Sequence, residues 1–330
     1  MPKRPLIFLA ALLVSVLSSA ASESGFGVRH LDVAPELSNT MINAIYKDSR
    51  GFMWIGTSSG LFRYDGFGVS TFRGADRGLT SVLNNYIDDI QEDSQGRLWV
   101  QADTEWRIYD PNTGKETDDI GPVLEEMGTG GYVTALMIDK DKNLWLGIED
   151  KGISIVKGGK SVTVPVPAGS GRHVTDMIEI PGGVACVTNN GSLLFVDGKT
   201  FKVSGPVKVP DEVPETREFI YDLYADRSGR LWVISNERLM LYDLKSRKWL
   251  NSILPGAGRA GVVKSLFEDR QGNLWGARDH HGLERVETQS GEIWFTPVDM
   301  KGGLSANNTV NCFMEDPQGT LWIGTYLSLI

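Results

Sequence analysis

A seven-residue phrase that begins with aspartate and ends with tryptophan recurs along this chain of 330 residues. The first copy is Asp48-Ser-Arg-Gly51-Phe-Met-Trp54. Four more copies keep all three key residues: Asp93, Gly96 and Trp99; Asp226, Gly229 and Trp232; Asp269, Gly272 and Trp275; Asp316, Gly319 and Trp322. Another copy, from Asp139 to Trp145, lacks the glycine. Such periodicity is typical of folds in which similar units bury their apolar faces against one another.

The spacing of the tryptophans predicts one further unit. Trp145 and Trp232 are about twice as far apart as the other neighbouring pairs, which indicates a hidden copy between them. The segment from Ile180 to Cys186 fits this place, with Gly183 three residues before Cys186. We therefore expect Cys186 to replace the indole and Ile180 to replace the aspartate. The predicted units are centred on Trp54, Trp99, Trp145, Cys186, Trp232, Trp275 and Trp322.

Each unit has the pattern of a propeller blade. Apolar residues lie three and six positions before the aspartate, as Ile45 and Ile42 do, in short β-branched segments bounded by turn residues. The aspartate is expected to cap the backbone amides of a turn, and the glycine to adopt a positive φ. Four strands in about 45 residues predict an all-β, seven-bladed propeller with four-stranded antiparallel blades. The last blade is expected to be truncated, with residues 26–33 adding its outermost strand.

The first 21 residues have the features of a secretory signal peptide. Lys3 and Arg4 precede an apolar run, and small residues end at Ala21, where a signal peptidase would cut. The run is too short to span a bilayer, although an uncleaved membrane anchor remains the alternative. We therefore expect an exported protein in which residues 22–330 form the propeller domain.

Charge and cysteine content restrict the function classes. The formal net charge is −9 with no basic run, which argues against a nucleic-acid surface. The two cysteines, Cys186 and Cys312, fall in different units and apolar surroundings, which favours buried free thiols over a disulfide. Because no paired Cys/His spacing is present, a zinc site is not expected, and neither is a cofactor.

Two stretches resemble a known repeat, that of the two-component regulator propeller family. They are residues 42–65, with the run Gly-Phe-Met-Trp-Ile-Gly-Thr-Ser-Ser-Gly-Leu-Phe-Arg-Tyr-Asp, and residues 84–99. The resemblance implies a periplasmic ligand-sensing propeller, often for glycans, in a receptor that dimerises and is anchored in the inner membrane. It also implies that an immunoglobulin-like domain, a membrane helix and a histidine kinase or cyclic-dinucleotide synthase follow in full-length relatives. Because the sequence contains none of these, we expect it to be an N-terminal fragment of such a sensor.

The ligand is expected on one face of the propeller, over the central channel. The aspartate turns join the first and second strands, so the loops between the second and third strands belong to the opposite face. Polar residues of these loops and of the segments leading into the first strands are the candidate ligand contacts: Ser58, Asp103, Glu149, Asn190, Asn236, Arg278, His280, Arg172, Arg217 and Arg259. They suit an oligosaccharide or another polar small molecule, although each residue type is also ordinary in solvated loops.

Two other functions remain open at this point. The phrase also resembles the Asp-box of sialidases, which are propeller enzymes, but no motif here places the three arginines, the tyrosine–glutamate pair and the aspartic acid of that chemistry. A non-catalytic scaffold for dimer contacts is the other alternative, because one propeller fold hosts many functions. The leading prediction is a sensor module with no catalytic residue, no metal and no cofactor.

Overall fold

Antiparallel β-strands make up almost all of the structure, a computed structural model. It describes residues 31, 37, 40–72, 86–210, 221–235, 239–251, 263–289, 292–298, 309–326 and 328–330. These residues contain twenty-six β-strands and one short helix, α1 (Gly121–Glu126), which lies between the second and third sheets in chain order.

Six sheets, here called blades 1 to 6, each contain four consecutive strands in chain order. Blade 1 has β1 (Ile42–Lys47), β2 (Met53–Thr57), β3 (Gly60–Tyr64) and β4 (Val69–Phe72), and blade 2 has β5 (Ile87–Glu92), β6 (Leu98–Ala102), β7 (Glu105–Asp110) and β8 (Lys115–Thr117). Blade 3 has β9 (Val133–Ile138), β10 (Leu144–Ile148), β11 (Gly152–Lys157) and β12 (Lys160–Val164), and blade 4 has β13 (Val174–Ile180), β14 (Gly183–Thr188), β15 (Ser192–Asp197) and β16 (Val203–Lys208). Blade 5 has β17 (Tyr221–Ala225), β18 (Arg230–Ser235), β19 (Leu239–Asp243) and β20 (Lys248–Asn251), and blade 6 has β21 (Val263–Glu268), β22 (Leu274–Arg278), β23 (Gly282–Gln289) and β24 (Glu292–Pro297). A two-stranded sheet of β25 (Val310–Glu315) and β26 (Leu321–Thr325) follows.

The sheets close into a ring because each buries one face against the next. Trp54 of blade 1 packs with Ile87 and Tyr109 of blade 2, and equivalent apolar clusters join every later pair of neighbours. The last cluster joins the two-stranded sheet to blade 1, where Trp322 and Ile55 take part. The first strand of each sheet is the innermost, and β25 lies between β21 and β1. Burial between neighbours, rather than one common core, holds this fold together.

The prediction of seven blades, the last of them truncated, is wrong in the number of blades. The described residues form six four-stranded blades, and the remaining place in the ring is taken by the two-stranded sheet. After β26 the chain turns back at once, and Ile323 and Ile330 exchange two backbone hydrogen bonds of 2.7 and 3.0 Å. Gly324 and Leu329 form an isolated bridge beside β26, and the described residues of this sheet contain no third strand. The backbone amide of Leu31 donates to the carbonyl of Leu329 at 3.0 Å, while most of the expected strand at residues 26–33 lies outside the described residues.

Each aspartate–tryptophan phrase is a hydrogen-bonded turn. The indole Nε1 donates to the aspartate Oδ2 in the six copies, over 2.8 to 3.1 Å. The other carboxylate oxygen accepts backbone amides within the turn, as Asp93 Oδ1 does from Gln95 at 2.8 Å and Arg97 at 3.0 Å. The turn glycines have a positive φ, such as 91° at Gly51, and Lys142 adopts a φ of 62° in the copy without glycine. The aspartate thus satisfies the polar group of a ring that is otherwise buried between sheets.

A glutamate before several of these aspartates ties neighbouring turns together. It accepts a hydrogen bond from the backbone amide of the second turn residue in the preceding blade. The pairs are Ser49 to Glu92, Arg227 to Glu268 and Arg270 to Glu315, at 2.7 to 3.2 Å. In blade 4, Glu179 precedes Ile180 instead of an aspartate and accepts the amide of Lys140 in the same way, at 3.0 Å. These bonds to charged acceptors link successive blades on the turn face.

The predicted hidden unit exists as blade 4, but its register is shifted by one residue. Ile178 pairs with Ala185 as Tyr46 pairs with Trp54 in blade 1. The position of the tryptophan is therefore occupied by Ala185, and the prediction of Cys186 is wrong.

A shorter hairpin causes this shift. Ile180 pairs with Gly183, which leaves only Pro181 and Gly182 in the turn, and Gly182 rather than Gly183 has the positive φ, 91°. Cys186 points to the other side of the sheet and packs with Trp145 of blade 3, where burial raises the pKa of its thiol. Cys186 and Cys312 are both free.

Candidate ligand-binding face

The loops between the second and third strands lie beside the segments that lead into the innermost strands. In five of the sheets a backbone amide from the loop donates to a carbonyl just before the innermost strand. These bonds run from Ser58 to Met41, Asp103 to Tyr86, Glu149 to Tyr132, Asn189 to His173 and Tyr326 to Thr309, at 2.8 to 3.1 Å. Both groups of segments therefore form one face, at the opposite end of the strands from the aspartate turns.

A bulge near the start of the innermost strand recurs in six of the seven sheets within the described residues. The unpaired residue at each bulge is polar: Asn43, Asp88, Thr134, Thr175, Lys264 and Asn311. A bulge leaves one residue out of the ladder and re-aims its side chain. Three of these side chains bond the innermost strand of the next sheet, from Asn43 to the Ile87 carbonyl at 3.1 Å, Thr134 to Val174 at 2.7 Å and Asn311 to Ile42 at 3.0 Å.

A depression of about 540 Å³, here called the channel mouth, lies among these residues. Blades 1, 2 and 6 and the two-stranded sheet line it. The residues are Met41, Asn43, Tyr86, Asp88, Lys264, Asp279, His280, Thr309, Asn311 and Tyr326. Amides, a hydroxyl, two carboxylates, an ammonium and an imidazole thus converge with two phenol rings in a concave surface. This combination can form several hydrogen bonds to a polar ligand and stack on a ring.

Three exposed tyrosines mark this face, and the sequence analysis did not select them. Tyr86 and Tyr132 each directly precede an innermost strand, with exposed fractions of 37% and 53%, and Tyr326 follows β26 with 53%. The Tyr86 hydroxyl lies 3.4 Å from Asn43 Oδ1, and the Tyr132 hydroxyl lies 3.3 Å from the Thr104 carbonyl. The sequence contained one signal that could have identified Tyr86 and Tyr132. Tyrosine recurs at the same repeat position, immediately before the first buried residue of β5 and of β9.

Asp88 gives the channel mouth a charge that changes near neutrality. Partial burial, together with the nearby carboxylates of Asp103 and Asp89, raises its pKa to about 6. Between pH 5 and 7 the Asp88 side chain therefore changes from a hydrogen-bond donor and acceptor to an anion that only accepts.

Three further aspartates occupy the innermost strands. Burial raises the pKa of Asp89, Asp176 and Asp222, and for Asp176 the Asp222 carboxylate adds to the effect. The pKa of Asp176 lies well above its usual value. The Asp176 carboxyl accepts the amides of Met177 and of Leu223 in blade 5, both at 2.7 Å, so it links two blades as well.

Asp176 should make the protein less stable as the pH rises. The pKa of Asp176 is raised in the folded state, so as the pH rises the unfolded chain loses this proton first, at about pH 4. Between that pH and the folded-state pKa, the free energy of unfolding falls by up to about 1.4 kcal/mol per pH unit. Replacing Asp176 with asparagine should therefore flatten the decline in free energy of unfolding as the pH rises above about 4, measured by urea titration. The control is Asp65→Asn, because backbone amides from Gly68 and Phe67 lower the pKa of that exposed carboxyl. Parallel pH profiles for wild type and Asp176→Asn would contradict the prediction.

Of the ten candidate contacts from the sequence, His280 lines the channel mouth. Ser58, Asp103 and Glu149 lie in the loops of the same face, where they bond through their backbone amides. Exposed Arg172 lies 3.7 Å from Asp150 and 4.0 Å from Glu149. Asn236, Arg217 and Arg259 lie outside the described residues. Ligand contact by these residues stays a prediction.

Two of the candidates have side chains engaged within the protein. Asn190 accepts hydrogen bonds from Thr188 and Ser192 at 3.0 and 2.7 Å and donates to the Gly169 carbonyl at 3.1 Å. Arg278 is the last residue of β22 and forms a bidentate ion pair with buried Glu284, with both N–O distances 2.5 Å. Its guanidinium also lies 4.5 Å from the centre of the Phe295 ring.

Within the described part of the chain, no group of three or more histidine, cysteine, aspartate or glutamate side chains is arranged to hold a metal ion. The same residues contain no helix that is long and apolar enough to cross a membrane.

Blades arranged in a ring, most of them with an aspartate–tryptophan turn between the first and second strands, define the class of this protein as a β-propeller. Three segments, residues 36–59, 81–104 and 303–327, match the family described as two component regulator propeller. The chain therefore carries two component regulator propeller repeats, and the resemblance noted in the sequence is confirmed. No curated protein matches the sequence significantly.

Solved structures share the fold at low sequence identity. The extracellular domain of the putative hybrid two component system BT4673 from B. thetaiotaomicron is similar with a TM-score of 0.64 and 18% identity, over 91% of this chain and 39% of that one. The corresponding domain of BT3049 from the same organism gives 0.62 and 19%, over 88% and 39%. The chain thus spans about two fifths of the length of these neighbours. A chain of the Mitotic Checkpoint Complex, at 0.56 and 13% identity over 99% and 98%, shows that the fold alone does not define a function.

Proposed function

We propose that this chain is the ligand-sensing propeller of an exported signal-transduction receptor, and that it binds an oligosaccharide or another polar small molecule at the channel mouth. The observation that carries the proposal is the concentration of polar side chains and exposed tyrosines in one depression. It lies on the face built from loops that differ between blades, whereas the opposite face repeats the same turn.

The family match and the extracellular domains of two-component systems among the similar structures support a sensor role. An extracytoplasmic location, which the sequence of residues 1–21 also favours, belongs to this proposal. So does dimerisation through a longer receptor, in which an output domain would report ligand binding.

A binding role fits the channel mouth better than sialidase-type catalysis. That chemistry needs three arginines around one carboxylate, and the described lining residues include a lysine but no arginine. Arg278, which directly precedes the lining residue Asp279 in the chain, is already paired with Glu284. Hydrolysis of a sialoside or another glycoside by the purified protein would contradict the binding role.

Replacement of Tyr86 with alanine should weaken ligand binding. Loss of a stacking ring costs about 1 kcal/mol, so Kd should rise about fivefold to tenfold. The measurement is isothermal titration calorimetry of the chain against neutral and acidic oligosaccharides, followed by the variant with each ligand found. Trp294→Ala is the matched control, because this exposed ring (55%) lies on β24, an outer strand away from the channel mouth. Equal affinities of wild type and Tyr86→Ala would exclude the channel mouth as the binding site.

A further inference from the structure

Blades 4 and 5 enclose a second cleft, of about 610 Å³, here called the interblade cleft. Pro181 and Gly182, from the first turn of blade 4, and Gly229, from the aspartate turn of blade 5, lie at its edge. The interblade cleft therefore opens on the turn face, at the opposite end of the strands from the channel mouth, and is independent of the proposed sensor site.

The interblade cleft lies between two blades whose interface lacks the recurring indole. Trp54 of blade 1 meets Tyr109 of blade 2 edge-on at 5.7 Å, and Trp322 meets Tyr64 of blade 1 at 6.2 Å. Tyr242 of blade 5 occupies the repeat position of Tyr109 and Tyr64. The residue of blade 4 at the position of the tryptophan, however, is Ala185. Tyr242 thus meets Phe195 of blade 4 and, at 5.1 Å, Trp249 of its own blade instead of an indole from blade 4.

The walls of the interblade cleft retain aromatic and polar binding capacity. Phe195 of blade 4 stacks on Tyr242 with ring centres 5.7 Å apart, and both rings line the cleft with Ile180 and Leu244. The Tyr242 side chain is buried, and its hydroxyl has no hydrogen-bond partner among the described residues. Because buried hydroxyls nearly always have a partner, this group is an unused recognition element.

The rim of the interblade cleft is positively charged. Lys202, Lys245 and Arg247 are exposed there, and none has an ion-pair partner within 4 Å among the described residues. The single lining carboxylate, Asp197, already accepts the amides of Lys199 and Thr200 at 3.0 and 2.7 Å. Three free cations around an aromatic floor favour a ligand with a ring and a negative charge.

We propose that the interblade cleft binds a small aromatic carboxylate. The ring takes the place of the absent indole beside Phe195 and Tyr242, and the carboxylate faces Lys202, Lys245 and Arg247. A neutral ring would lack the charge interactions, and an aliphatic acid would lack the aromatic contacts.

Calorimetric titration of the full chain with indole-3-carboxylate tests the proposal, with indole and hexanoate as comparison probes. Indole-3-carboxylate should bind at least about tenfold more tightly than either. The double variant Lys245→Glu and Arg247→Glu should raise its Kd about tenfold or more. The matched control reverses Lys157 and Lys160, two exposed lysines paired across the outer turn of blade 3, and should leave Kd unchanged.

A second variant, Ala185→Trp, restores the indole of the other blades and should abolish binding by filling the interblade cleft. If this variant does not fold, the exposed charge reversal still decides the question. Binding of indole-3-carboxylate that survives the charge reversal, equal binding of hexanoate, or no binding to the wild type at millimolar concentration would overturn the proposal. Because all these changes lie on the turn face, a negative result would leave the channel mouth untested by them and the sensor proposal standing.

Discussion

Replacing Trp232 with alanine is expected to lower the free energy of unfolding by about 3–5 kcal/mol. The ring is fully buried in the cluster between blades 5 and 6, where it packs with Val263 and Leu266. Its removal leaves a large cavity between two sheets, because a strand ladder on each side prevents collapse. Urea denaturation followed by circular dichroism measures the loss.

The exposed Trp294 provides the control for this change, since surface substitutions usually alter stability by less than about 0.5 kcal/mol. The carboxylate of Asp226, which accepts the hydrogen bond of the Trp232 indole, also makes the stability of this turn depend on pH. Although burial opposes its ionisation, hydrogen bonds from Ser228, Trp232 and Arg230 hold the pKa of Asp226 below its ordinary value. Its stabilising effect is present at neutral pH and is lost as the pH falls through that pKa.

A loss below about 1 kcal/mol for Trp232→Ala would show that interblade packing is not the main source of stability.

The second large effect is expected at the ion pair of Arg278 and Glu284. Changing Arg278 to methionine leaves the Glu284 carboxylate, whose side chain has no exposed surface, without its partner. Such an uncompensated buried charge costs about 3–5 kcal/mol. Thermal and urea unfolding at neutral pH measure the loss.

Two further variants separate charge burial from packing. The double change Arg278→Met and Glu284→Leu should recover most of the stability, because an apolar pair of similar volume avoids the desolvation cost. Arg285→Met is the matched control on β23, the strand of Glu284, since the Arg285–Glu287 pair, 3.5 Å apart, is more than half exposed at both residues. That change should cost no more than about 1 kcal/mol. If Arg278→Met were as mild as Arg285→Met, the Arg278 side chain would be available for ligand contact after all.

The repeat in the sequence was enough to predict the propeller class and the face that each loop occupies. Asp48, Gly51 and Trp54 define a turn whose chemistry is local, so their spacing carries over from blade to blade. The position of Ala185 could not be obtained in this way. A hairpin that loses one residue keeps its apolar alternation, and only strand pairing distinguishes Ala185 from Cys186 as the counterpart of tryptophan.

The candidate site was less predictable because its contacts join residues far apart in the chain. Arg278 reads as a loop cation in the sequence, yet it ends a strand and faces Glu284 across a hairpin. Asn43 and Asn311 follow buried residues, and nothing local shows that bulges direct them toward neighbouring sheets. The number of complete blades also depends on pairing at the end of the chain, where Ile330 folds back on Ile323.

The channel mouth straddles the seam at which the first and last sheets of the ring meet. Asn43 and Tyr86 come from the first two blades, whereas Asn311 and Tyr326 come from the last sheet. A molecule bound by both groups of residues would link the first and last sheets non-covalently. It would therefore oppose their separation at this seam. Ligand binding would raise the free energy needed to open the ring. At ligand concentrations above Kd, this increase grows with the logarithm of the ligand concentration. Ligand occupancy would thus be measurable as an increase in the Tm, even if the blades do not change position on binding.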